Sequence, residues 1–167
     1  MGIDICLNMT MQPIGMQDLS RSQTIRSAMT DIYVIMGKLQ SQLAPLFYFS
    51  LWSADEDFSL DALCCELSHQ FSPLCAVWHG DHAGIYGYSI YHNGICSLIQ
   101  EDDHPMRGLN HIFGDEWVIP EEILDLIDDH LVCYHLKVDG SYLPLPKDML
   151  YKLLEGDLAA EPAFPFS

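Results

Sequence analysis

Basic residues are scarce in this chain. Seven Lys and Arg stand against 24 Asp and Glu in 167 residues, a formal net charge of −17. A field of that sign repels phosphate backbones and anionic lipid headgroups, so direct nucleic-acid binding and membrane attachment are not expected. Long apolar runs are missing as well. Residues 32–36 and 43–51 are the longest, well short of the roughly 20 residues that a membrane-spanning helix needs. The opening stretch MGIDICLNMTMQPIG has no basic region and its apolar residues alternate, which predicts no cleaved signal peptide and makes the cytoplasm the expected compartment.

The catalogue of catalytic fingerprints is empty too. There is no phosphate-binding loop, no dinucleotide glycine pattern and no G-x-S-x-G elbow, so nothing calls for a cofactor. The six cysteines (Cys6, Cys64, Cys65, Cys75, Cys96, Cys133) form neither a C-x-x-C pair nor zinc-ribbon spacing. They read as buried free thiols, and no structural metal is expected. Adjacent Cys64 and Cys65 on a helix point about 100° apart and do not share a ligand readily.

What is present is acid, unevenly placed. Residues 1–49 balance three acids with three bases, whereas residues 50–136 hold sixteen acids and Arg107 alone. Five acids and three bases follow. A basic protein would be steered towards the middle of such a chain.

Hydrophobic periodicity sets the fold class. Ile3, Ile5, Leu7, Met9 and Met11 alternate with Asp4, Cys6, Asn8, Thr10 and Gln12, predicting a strand. Spacings of mostly three or four among Leu19, Ile25, Met29, Ile32, Ile35, Met36 and Leu39 predict a long helix near 16–43. "PLFYFSLW" is apolar on both faces and reads as a central strand. Ser59 caps a second helix, near 59–71, that Pro73 ends. Strands follow at 74–79, 85–91 and 95–100. Asn93-Gly94, both tolerant of positive φ, marks a hairpin turn between the last two.

His79, Asp81 and His82 in "WHGDHAG" invite a metal or catalytic reading, but two histidines around one aspartate are too few ligands, so the stretch reads as a turn. Tyr86, Tyr88 and Ile90 share one side of the following strand and suggest a partly exposed aromatic face. Residues 101–118 read as a polar connector. A helix is predicted near 120–130, a strand at LVCYHLKV, a last helix near 146–155 stopped by Gly156, and a loose tail at 158–167 whose Phe164 and Phe166 are available to dock.

On the helix at 120–130, Glu121, Glu122, Asp125, Asp128 and Asp129 fall within an arc of about 120°, opposite Ile123, Leu124, Leu126, Ile127 and Leu131. Like charges at three- and four-residue separations repel, and Asp128 and Asp129 oppose the helix dipole. That arrangement marks the five acids, with Tyr86 and Tyr88, as candidate partner contacts.

Over residues 46–136, the acid-rich strand meander around GIYGYSIYHNGIC resembles the small acidic immunity proteins of bacterial polymorphic-toxin and contact-dependent inhibition systems. The resemblance is one of pattern, so no family site carries over to particular positions. It implies a compact α+β domain whose acidic surface covers a basic toxin. The expected architecture is a single α+β domain over 1–157, with a mixed or antiparallel sheet of five to seven strands and about four helices. The expected function is non-enzymatic: binding and neutralising a basic protein partner. The alternatives are a nucleic-acid mimic that inhibits a DNA- or RNA-binding protein, and a metal-dependent hydrolase using His79, Asp81, His82 and distant acids.

Overall fold

The computed structural model describes residues 3–39, 45–114 and 131–166. Among them the chain is α+β: nine strands in one antiparallel sheet, with helices on both faces. The elements run β1 (Asp4–Thr10), α1 (Met16–Ser20), α2 (Gln23–Ser27), β2 (Ile32–Leu39), β3 (Leu46–Ser53), α3 (Leu60–Leu67), β4 (Leu74–Gly80), β5 (Ile85–His92) and β6 (Ile95–Glu101). They continue with α4 (Arg107–Phe113), β7 (Val132–Leu136), β8 (Tyr142–Leu145), α5 (Asp148–Glu155) and β9 (Glu161–Pro162). The spatial order is β6-β5-β4-β1-β3-β2-β7-β8, and β9 pairs with β3.

Two cores lie on opposite faces of the sheet. Met16, Leu19, Ile25, Leu60, Leu63, Cys64 and Leu67 of α1, α2 and α3 bury Cys6, Phe49, Ala76 and Trp78 on one face. Leu109 of α4 and Leu150 and Leu153 of α5 close over Ile5, Leu7, Tyr48 and Trp52 on the other. Central strands buried on both sides need apolar residues at nearly every position, which β3 supplies. Buried Asn8 on β1 is satisfied locally: its amide donates to Phe49 O at 3.1 Å and its carbonyl accepts from Cys64 Sγ at 3.5 Å.

The long helix expected over 16–43 is not formed. Two five-residue helices stand there instead, α2 capped by Ser22 Oγ accepting from Ile25 N. Then Met29 turns at φ +54° and the chain enters β2. The run Ile32-Tyr33-Val34-Ile35 is β-branched and aromatic, and it is paired on both sides, by β3 and by β7. The polar connector expected at 101–118 contains α4. Gly108 allows that helix to lie directly on the Tyr88 ring, which a Cβ at position 108 would meet at 2.4 Å. The strand count exceeds five to seven because β2, β8 and β9 were hidden. The segment expected as a loose tail instead adds β9 to the sheet, with Ala160 buried beneath it.

Among the described residues, the other expected elements stand close to their predicted ends. Ser59 Oγ accepts from Ala62 N at 3.1 Å and caps α3, a contact worth about 1 kcal/mol. Asn93 and Gly94 take φ +48° and +90°, the type I′ pattern, between β5 and β6. Gly156 ends α5 in the left-handed region, and Asp157 N donates back to Lys152 O at 2.9 Å. Both outer edges are poor templates for further pairing. Strand β6 has a register shift opposite Ile90/Tyr91, and β8 is four residues long with Pro144 inside it.

Candidate partner-binding groove

The sheet topology brings three distant segments together at one end of β1, β3 and β4. The first is the loop after β3, SADEDF. Its backbone is self-supported: Ser53 Oγ accepts from Asp55 N at 3.0 Å, Asp55 Oδ1 from Asp57 N at 2.9 Å, and Asp55 O from Phe58 N at 3.2 Å. The loop thus holds Glu56 and Asp57 out, both exposed. Just beyond it Asp61, in the first turn of α3, accepts from Tyr91 OH at 2.8 Å. That bond and the burial of the ring, the larger cause, push the Tyr91 phenol well above its ordinary range.

The second segment is the turn between β4 and β5, the WHGDHAG stretch. Asp81 is its anchor. One carboxylate oxygen accepts from Tyr86 OH at 2.6 Å and lies 3.1 Å from His79 Nε2, and the other accepts from Ile3 N at 2.8 Å. The Tyr86 hydroxyl foremost, then the Ile3 N–H, holds the Asp81 carboxyl below the usual aspartate range, while the same bond raises the Tyr86 phenol. His82 turns to another carboxylate, with its backbone N–H and ring Nδ1 both on Asp4. The histidines therefore belong to two separate pairs. Among the described residues no three His, Cys, Asp or Glu side chains converge as a metal site.

The third segment is the stretch from the end of α5 through β9. It contributes exposed Glu155 and Glu161 with the apolar side chains of Leu154, Leu158 and Phe164. Between the three segments lies a groove of about 1070 Å³. Seven carboxylates line it, from Asp4, Asp55, Glu56, Asp57, Asp61, Glu155 and Glu161, and none of the seven Lys and Arg does. Among the described residues Glu56, Asp57, Glu155 and Glu161 take part in no ion pair. Four carboxylates outside any ion pair, gathered around an apolar floor, attract an amphipathic cation.

Comparison with protein-family models, with curated proteins and with solved structures finds no match.

The expected contact residues fare unevenly. Glu121, Glu122, Asp125, Asp128 and Asp129, with the helix predicted near 120–130, lie outside the described residues. Tyr86 stands at the surface end of β5 but spends its hydroxyl on Asp81. Tyr88 is 8% exposed beneath α4, so the aromatic face expected to be partly exposed is covered there. The cysteines are all free thiols. Burial is the first cause raising each of them, Cys133 to about 11, so none is poised as a nucleophile.

Sequence reasoning missed the groove. A signal was there in the Asp55-Glu56-Asp57 triplet, but nothing local relates it to Asp4 or to Glu155 and Glu161. The sheet does, through the pairing of β9 with the end of β3.

Proposed function

We propose that this chain is a non-enzymatic acidic binding protein that neutralises a basic protein by holding one of its cationic segments in this groove. The observation that carries the reading is a concave, partly apolar site lined by seven carboxylates, with His82 on Asp4 and no Lys or Arg. Much of the groove acid comes at a cost to the free protein. Glu155 lies in the last turn of α5, where the helix dipole favours cations, and it shares the groove with like charges. A bound cation offsets both. The mode of action fits the immunity proteins that the sequence resembles, in which an acidic surface covers a basic toxin. The net charge of −17 gives the whole chain a field of the same sign, which steers the encounter.

The test is calorimetric titration with hepta-arginine. The native chain is compared with a variant carrying Glu56→Gln, Asp57→Asn, Glu155→Gln and Glu161→Gln, four exposed changes that leave the fold intact or slightly more stable. Native binding weakens as salt rises, since the Debye length shrinks from about 10 Å at 0.1 M to about 3 Å at 1 M. The variant binds about tenfold or more weakly, four exposed charge contacts being worth a few tenths to 1 kcal/mol each. Equal affinity for the two chains refutes the groove. Co-expression with a growth-inhibiting basic protein encoded beside it then tests neutralisation, with growth restored by the native chain and not by the variant.

A further inference from the structure

Strands β1 and β3 are ladder partners only where Asn8–Thr10 face Phe47–Phe49, although β1 starts at Asp4 and β3 continues to Ser53. From Ser50 onward they part, with Ser50 Oγ donating to Cys6 O at the fork. The short strand β9 occupies the opened space, hydrogen-bonded to β3 and adjacent to β1.

Its hold is slight. Among the described residues the pairing consists of Trp52 with Pro162, Ser53 with Glu161, and Ala163 N donating to Leu51 O at 2.9 Å. Proline brings no N–H to a ladder. The rest is packing: Pro165 is buried, Ala163 and Phe164 lie against the core of one face, Phe164 and Phe166 stack at 5.8 Å, and Phe166 meets Trp78 edge-on at 4.9 Å. Charge opposes the segment, because Glu161 adds a carboxylate to a groove already lined by Asp4, Asp57 and Glu155. An extended segment with apolar side chains two residues apart, as Phe164 and Phe166 are, and with basic residues around them, makes the same contacts with the electrostatic sign reversed.

We infer that residues 161–166 are a resident segment which an extended basic segment of the partner replaces, pairing with the end of β3 and seating two apolar side chains where Phe164 and Phe166 lie, one of them against Trp78. This rests on the proposal that the groove receives a basic partner, and it adds the mode, strand exchange instead of surface apposition.

A lock on β9 tests it. Ser53→Cys with Glu161→Cys joins a directly opposed pair, within disulfide reach in an antiparallel ladder. The full-length double variant, oxidised and with the new bridge confirmed by peptide mass mapping, is compared with its reduced form. The probe is a synthetic octapeptide of arginine with phenylalanine at two positions two apart. Strand exchange predicts that the reduced form binds and the oxidised form binds at least about tenfold more weakly. In the native chain, hydrogen exchange at Ala163, Phe164 and Phe166 then speeds up as peptide is added. Equal binding by both forms, or slower exchange at those amides, overturns strand exchange and leaves the groove reading standing. If the native chain does not bind the peptide at all, the groove reading falls with it. Should the double variant fail to fold, the direction of the exchange change in the native chain decides alone.

Discussion

Trp78 on β4 lies directly opposite Gly87 on β5, and its ring covers the glycine: a Cβ at position 87 would come within 2.5 Å of the ring and 2.2 Å of Gln100 O. The side chain that receives Phe166 at the groove is therefore seated by the absence of one on the neighbouring strand. Gly87→Val has to move both the indole and the β6 backbone, and overpacking of this kind costs about 1–3 kcal/mol. The urea unfolding midpoint should fall accordingly, with the Trp78 contribution to fluorescence altered. A native midpoint for this variant would mean that the Trp78 seat is not as described.

The hairpin turn offers a second check. Gly94 takes φ +90°, and a Cβ there would meet the His69 ring at 2.3 Å, so Gly94→Val combines backbone strain with a collision. A cost of about 1–3 kcal/mol is expected, read as a lower thermal midpoint. Unchanged thermal stability counts against the turn.

Glu66 ties α3 to α2. Its carboxylate accepts from Ser22 Oγ at 2.8 Å, Gln23 N at 3.0 Å, Thr24 N at 3.0 Å and Thr24 Oγ1 at 2.8 Å. Burial raises its pKa, but these donors outweigh it and the net value lies below the ordinary glutamate range. A depressed folded-state pKa gives stability that is present above the unfolded value, about 4.3, and lost as pH falls through the folded one. Glu66→Gln should thus cost about 1 kcal/mol at pH 7, the partial exposure limiting the figure. The gap from the native chain should close in acid below that window. A gap constant from pH 7 to pH 3 contradicts the linkage.

Tyr86 and Asp81 make a titration pair. Removing the hydroxyl with Tyr86→Phe takes away the chief cause that lowers the Asp81 pKa, so the carboxyl resonance of Asp81 should titrate at higher pH than in the native chain. An unmoved titration curve would show that the Ile3 N–H and His79 hold the carboxylate without the hydroxyl.

Much of the fold was legible where local chemistry bounds an element. Residues 74 to 101 read correctly because turn formers separate three strands, and Ser59 and Gly156 mark helix ends by capping chemistry that acts locally. Strand β2 did not, since it is buried on both faces: Ile35 packs on one side and Ile32 and Val34 on the other, which erases the period-two signal and leaves spacings that mimic a helix. Strand β8 was masked by Pro144, tolerable only because β8 is an edge. In α4, Gly108 reads as a loop residue until Tyr88 is seen beneath it. The sign of the candidate site was readable from charge alone. Its location was not, because Asp4, Asp57 and Glu161 meet only through sheet pairings over long sequence separations.

The most direct measurement is amide chemical-shift mapping of the native chain titrated with hepta-arginine. If the groove receives the cation, the largest shifts fall together on Asp55–Phe58, His82 and Glu155–Glu161, and in the variant with Glu56, Asp57, Glu155 and Glu161 neutralised they need about tenfold or more peptide to appear. Shifts centred on another acidic stretch, such as Glu101–Asp103, with the groove amides unmoved, would contradict it.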